Sequence, residues 1–276
     1  MSDATAAGPT DWASGESGIV GGIRRGVRTR VEDARLDARR WATLEPARLA
    51  RAARREPAPR LRVLAIGIER EDRPNLMAAA RAELRRSRHD VEVATSGIGG
   101  RGKFENLNAL LAAHPLAGRD WLLVLDDDVA LPRGFLDAFL FLAERFELKL
   151  AQPAHRRRSH AAWRVTRRRA GSVVRETQFV EIGPVSAFHR DTFATLLPYP
   201  ELKAGWGLDS HWAALAREHG WKIGVVDATP IQHVMRPIAD SYRHADAMAE
   251  AQAFLRERPY VTAAEAQRTL TTHARW

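Results

Sequence analysis

The stretch that decides the fold is DWLLVLDDDVALP, residues 120–132. Five apolar residues, Trp121 to Leu125, run straight into Asp126, Asp127 and Asp128. A five-residue apolar run of this kind reads as a strand buried on both faces. Three adjacent carboxylates repel one another, and burial raises the cost. Such a cluster calls for a cation, or for a tight turn that leaves it in water. On an extended backbone alternate side chains share a face, so Asp126 and Asp128 aim at one point and Asp127 points away. Mg²⁺ and Mn²⁺ take one or two carboxylates and fill the shell with water and phosphate oxygens, which is the chemistry a D-x-D at a strand end would serve.

Outward from this stretch the pattern alternates. LRVLAIGI from Leu61 is a buried-type strand, and RPNLMAAARAELRRS a helix with Pro74 near its first turn. DVEVATS is a second strand, GIGGRG a loop, and KFENLNALLAAH a second helix that leads into WLLVL. Strand–helix alternation implies right-handed crossovers and a mainly parallel sheet. Residues 61–125 therefore read as a βαβαβ nucleotide-binding half. Ligands bind at the carboxyl edge of such a sheet, which gathers Glu69, the 96–102 loop, Lys103 and the three aspartates. After the first strand GIEREDRPN holds no dinucleotide G-x-G-x-x-G, and GIGGRGK lacks the spacing and the Ser/Thr of a P-loop, so phosphates need another handle, and a metal is the natural one.

Downstream, FLDAFLFLAERF reads as a helix, LKLAQPA as a strand and SVVRETQFVEIG as strand-like. SHWAALAREHG reads as a helix stopped by Gly220, with Asp209 as its N-cap. WKIGVVDA is a strand ending near Ala228, followed by TPIQH, and the last forty residues read as helical with a break at Pro259. The helix after Asp209 starts at the ligand edge and the strand returns to it. Asp209 and His233 can thereby meet in space, where His233 could complete a metal shell, although taken alone it reads as a hydrogen-bonded loop histidine.

The chain has 276 residues, 45% of them hydrophobic, and no cysteine. Disulfides and zinc–thiolate sites are excluded. No apolar run approaches the ~18 residues of a membrane span, and the start lacks the apolar core of a signal peptide. A cytoplasmic protein is expected, with the inner face of the membrane as a place for peripheral attachment. The net charge of +9 is uneven. Residues 20–60 carry twelve arginines against five acids, and HRRRSHAAWRVTRRR, 155–169, carries seven arginines and no acid. Each segment has an excess of +7, so the remainder is mildly acidic at −5. Segment 155–169 reads as a solvated loop or as a contact for an anionic acceptor or lipid phosphate. In the first segment Val20, Ile23, Val27, Val31, Ala34, Ala38 and Trp41 recur at steps of three and four among arginines. Such a basic amphipathic helix either packs its stripe on the body or lays it on an anionic membrane. The expected layout is a disordered tail at 1–19, this helical extension with an EPAPR linker at 20–60, a catalytic domain at 61–237 and a helical tail at 238–276.

The ordered set GKFENLNALL, WLLVLDDDVALP, GWGLDSHWAALAREHGWKIGVVDA and IQH resembles the inverting glycosyltransferases of the GT-A fold, particularly the family-2 type. The resemblance spans about Leu61 to Pro237. It implies a Rossmann-like α/β domain and a Mn²⁺- or Mg²⁺-dependent transfer of a sugar from a nucleotide-diphosphate donor, a UDP-sugar foremost. The acceptor would be the hydroxyl of a glycan, a lipid-linked molecule or a small molecule. It further implies Asp128 as metal ligand, Asp126 on the ribose or the metal, and His233 on the metal or the diphosphate. Lys103 and Asn106 would line the donor pocket, Asp209 would be the base, and Trp206 with Gly207 would hold the acceptor. Glu69 is a further donor-pocket candidate from its place at the sheet edge, although its GIERED stretch departs from the simpler polar turn of the family. Only one carboxylate, Asp209, stands where the family usually has an acidic pair. Two other readings are a sugar-phosphate nucleotidyltransferase and a non-catalytic protein binding nucleic acid or membrane. The first lacks a basic phosphate loop after the first strand. The second leaves the aspartates unexplained, so nucleic acid is not the expected partner.

Overall fold

A computed structural model of the chain describes residues 9–15, 22–55, 59–233 and 243–276. Two helices, α1 (Ile23–Ala42) and α2 (Glu45–Arg55), precede the sheet. Then come β1 (Arg62–Ile68), α3 (Met77–Leu84), β2 (Asp90–Ser96), α4 (Lys103–Ala113), β3 (Trp121–Asp126) and the short β4 (Val129–Ala130). The second half holds α5 (Phe135–Arg145), β5 (Leu148–His155), β6 (Val174–Thr177), β7 (Val185–His189) and α6 (Phe193–Leu196). It closes with α7 (Leu208–Glu218), β8 (Lys222–His233), α8 (His244–Leu255), α9 (Ala263–Ala266) and β9 (Thr269–His273).

The strands lie in the order β2-β1-β3-β7-β5-β8-β6-β9, with β4 paired to β8. Tracing the pairings, β7 and β6 oppose the other six strands of that row, so the sheet is mainly parallel as expected. Helices cover both faces, which is why β1 and β3 are apolar at every interior position. On one face Leu64, Ile66, Leu122 and Val124 meet Phe104 and Leu107 of α4 and Trp212 of α7. On the other, Val63, Ala65, Leu123 and Leu125 meet Met77 of α3, Leu49 of α2 and the Phe135–Phe139 stack of α5. Register sets Ile68 beside both Ser96 and Asp126, so three strand ends share one edge.

Several expectations are corrected. Residues 9–15 are not a loose tail: Trp12 is buried in the core, and the Asp11 carbonyl accepts from Ala263 N at 2.7 Å. Residues 1–8 and 16–21 lie outside the described residues, as do 56–58 of the linker and 234–242. The C-terminal segment is not all helix, because Thr269–His273 adds a strand to the edge of the sheet along β6. Its β-branched threonines suit an extended edge better than a helix. The strand read as ending near Ala228 runs on to His233. Finally, α7 begins at Leu208, with Gly207 as N-cap at φ 82°, so Asp209 sits inside the first turn and is not the cap.

Segment 155–169 is not a solvated loop. Arg168 is buried between Asp33 and Asp37 of α1, at 3.2 and 2.8 Å, and Arg156 also pairs with Asp37. Asp33 further accepts the backbone N–H groups of Arg157 and Arg158, both at 2.9 Å. The two basic segments thus hold each other through two acids of the first.

Candidate active site

The carboxyl edge of the sheet collects the predicted residues and pairs Asp126 with Lys103 and Asp128 with His233. Lys103, in the first turn of α4, places Nζ 2.6 Å from Asp126 Oδ1. Asp127 turns away and is buried, its Oδ2 accepting Arg70 N at 2.8 Å. It anchors the loop after β1. Asp128 is buried against His233, Oδ1 to Nε2 3.2 Å, because β4 pairs antiparallel to β8 with Val129 opposite His233. The anticipated alternation holds for Asp127, but Asp126 and Asp128 have different partners.

His233 feels opposing forces. Burial pulls its pKa down, while the hydrogen bond and charge of Asp128, with Asp126 behind, raise it; the net shift is upward. Its backbone and ring are held by the 155–169 segment: the Ser159 hydroxyl accepts His233 N at 3.2 Å, and His233 Nδ1 lies 3.2 Å from the His160 carbonyl. His160 stands edge-on to the ring at 5.9 Å.

Asp209 is buried at the start of α7 and accepts Ser210 N at 2.9 Å. Burial, then repulsion from Glu181, pushes its carboxyl up to about 7, against the pull of the Ser210 and Ile182 backbone N–H groups. Glu181 is itself buried 3.2 Å from His155, which burial keeps below its ordinary pKa. The segment 181–184 touches both carboxylates. Ile182 N–H reaches Asp209, while the Pro184 carbonyl accepts Asp126 N at 2.8 Å. A Cβ on Gly183 would lie 3.3 Å from Asp126 Oδ2 and 3.7 Å from Lys103 Nζ. The glycine leaves that ion pair uncovered on this side.

Other predicted residues act as frame. Asn106 donates to the carbonyls of Ile98 at 2.8 Å and Gly102 at 3.2 Å, so its amide staples the 96–102 loop and is not presented to a donor. Glu69 accepts Arg81 at 2.9 Å and Thr95 at 3.0 Å. Trp206 is half-buried, edge-on to His244 of α8 at 5.0 Å. In its G-W-G both glycines have positive φ, and a Cβ at Gly205 would fall 1.9 Å from the Phe104 ring. The motif lets the loop close onto α4 and open α7. Glu250 of α8 fixes that loop by accepting Lys203 N, Ala204 N and Gly205 N at 2.7–3.0 Å. Sequence reasoning missed Glu181 and Glu250; for Glu181 the signal was its place just before the Gly183-Pro184 turn.

Among the described residues no group of three or more His, Asp and Glu side chains converges as a metal site. The pair that remains, one carboxylate and one imidazole, suits a divalent ion that takes its other ligands from phosphate and water.

No family model matches the chain, and no curated protein matches it. The solved structures with slight likeness to the chain include three that hold a nucleotide or nucleotide sugar. A mannosyltransferase, PcManGT from Pyrobaculum calidifontis in complex with GDP-Man and Mn²⁺, is 17% identical at TM-score 0.46, covering 83% of this chain and 74% of its own. GalNAc-T7 with UDP, GalNAc and Mn²⁺ is 10% identical at TM-score 0.45, covering 64% and 44%. TarS from S. aureus in complex with UDP-GlcNAc is 11% identical at TM-score 0.42, covering 66% and 62%. Likeness this slight assigns no residue and no substrate.

Proposed function

We propose that the chain is a glycosyltransferase moving a sugar from a nucleotide-diphosphate donor to an acceptor hydroxyl, with inversion. The observation that carries this reading is one sheet edge holding three elements. They are a Lys103–Asp126 pair open on its Gly183 side, an Asp128–His233 pair, and a buried carboxyl poised near neutrality. Asp128 and His233 would hold Mn²⁺ or Mg²⁺, which when bound would offset charge on the leaving diphosphate.

The remaining chemistry belongs to the chain. Lys103 and Asp126 bind the donor, the ammonium toward phosphate and the carboxylate toward the ribose. Glu69 and Asn106 keep the floor and the loop of that pocket in place. The Trp206–Gly207 turn carries the acceptor to the head of α7. There Asp209 accepts the proton of the acceptor hydroxyl as its oxygen bonds to the anomeric carbon. The bond from that carbon to the diphosphate oxygen breaks in the same displacement, which inverts the centre. A base with a pKa near 7 is matched to this task.

The test is titration of UDP and GDP with and without Mn²⁺, followed by transfer assays with the matching nucleotide sugars. Asp128→Asn and His233→Gln keep side-chain size, and melting temperatures check their folding. Each variant is expected to weaken Mn²⁺-dependent nucleotide binding by roughly tenfold or more, the scale of losing one metal contact. Parental affinity in both variants would remove the metal assignment.

A further inference from the structure

The sequence pattern left α1 between two roles, and the structure turns the helix around. The face that meets the body is polar: Thr29 and Asp33 are buried, and Asp37 is half-buried on Arg156 and Arg168. Arg40 reaches the Ala228 carbonyl at 2.5 Å. The apolar stripe faces away. Val27 is 54% exposed, Val31 43%, Trp41 62%, and Leu44 in the connector to α2 61%. Ala34 and Ala38 are exposed between them. Four of the five large hydrophobics exposed among the described residues lie in this stripe, and such clustering marks an interaction site where scattered exposure does not.

Charge decides what covers it. On a helical wheel of 3.6 residues per turn, Arg24, Arg28 and Arg35 flank the stripe on one side and Arg30 on the other. All four are exposed. Of the acids of α1, Asp33 and Asp37 are spent on the body, and Glu32 is paired to Arg28 at 3.6 Å. An apolar ridge with a tryptophan, bordered only by guanidinium groups, fits the boundary between acyl chains and anionic headgroups. No helix among the described residues is long and apolar enough to cross a bilayer, so α1 would lie in the plane. We propose that α1, clamped to the body by its acidic face, docks the protein on an anionic lipid bilayer through Val27, Val31, Trp41 and the arginines beside them. This holds whether or not the transfer reading does.

Deleting the segment is a poor test, because Trp12, Leu49 and Ala53 belong to the core. The experiment uses the full chain, co-sedimented with vesicles of phosphatidylcholine alone and of phosphatidylcholine mixed with phosphatidylglycerol. The parent is expected on the mixed vesicles and not on the neutral ones. Val27→Ser/Val31→Ser/Trp41→Ser should lower its partition roughly tenfold or more with melting temperature unchanged, since these side chains touch water. Arg24→Gln/Arg30→Gln/Arg35→Gln should lower it comparably, and high salt should lower parental binding. Equal partition of the parent and the serine variant overturns the proposal. So does a parent that ignores both vesicles, whether it then dimerises through the stripe in light scattering or binds RNA through the arginines.

Discussion

Asp209→Asn is expected to lose sugar transfer by roughly a hundredfold or more, the scale of a missing general base, while becoming more stable than the parent above neutral pH. The two effects share one cause. Asp209 is buried beside Glu181, and its carboxyl is raised from the usual 3.8 to about 7. In the unfolded chain that proton leaves near pH 4; in the folded protein it stays until about pH 7. Across that window the folded state binds more protons than the unfolded one, so this group's contribution falls as pH rises and levels off above about 7. An amide does not ionise and escapes the loss. At about 1.4 kcal/mol per pH unit, the gain of the variant at pH 8 reaches at most about 4 kcal/mol. Asn keeps the oxygen that accepts Ser210 N, and α7 does not use residue 209 as its cap, so little is given up.

The parent's transfer rate should also rise with pH through about 7, as the carboxyl ionises. Urea unfolding at pH 5 and pH 8 and a pH–rate profile check these statements together. A variant that transfers sugar at the parental rate would end the base role, whatever its stability. A variant less stable than the parent at pH 8 would show that Asp209 is structurally required as an ion. That outcome would contradict the burial argument.

What could be read from the chain was what depends on nearest neighbours along it. The runs at 62–68 and 121–125 are apolar at every interior position, and their shortness favours strands of a sheet covered on both faces over buried helices. The helix at 103–113 repeats its apolar residues at three and four. From these the carboxyl edge followed, and with it the neighbourhood of Glu69, Lys103 and the aspartates. The direct contacts of those residues were legible only in part, since the resemblance set Asp128 and His233 on one metal but did not bring Lys103 onto Asp126. Asp126 and Asp128 are two residues apart, yet they answer to Lys103 and His233, which approach from different elements. Periodicity in α1 showed a stripe but not which side of the helix the body takes. That choice is made by Arg168, 135 residues from Asp33 and 131 from Asp37. Gly207 took the N-cap from Asp209 for a similar reason. The 202–207 loop is pinned by Glu250, forty-odd residues downstream.

The same long-range logic predicts the largest structural effect. Arg175→Met should cost about 3–5 kcal/mol, the usual result of stranding one member of a buried ion pair. Arg175 and Asp227 are both buried and joined by two bonds, Nε to Oδ2 at 2.7 Å and Nη2 to Oδ1 at 3.0 Å. The guanidinium also donates to the carbonyls of Val165 at 2.6 Å and Arg167 at 2.9 Å. It thereby ties the end of the 155–169 segment to β6 and β8. Methionine fills similar volume but leaves Asp227 charged and dry, with only Ser172 and the Arg169 N–H among its named donors. Adding Asp227→Asn should return part of the loss, because it removes the stranded charge and keeps an acceptor for those two donors. Urea unfolding of the parent, the single variant and the double variant measures both terms. Amide exchange across 155–169 should quicken in Arg175→Met before the rest of the sheet opens, since Ser159 and His160 reach His233 from that segment. A single variant within about 1 kcal/mol of the parent would mean that Asp227 has kept its ionic partnership through rearrangement. In that case the segment holding His233 is secured chiefly by the acids of α1, and Asp33→Asn becomes the substitution that loosens it.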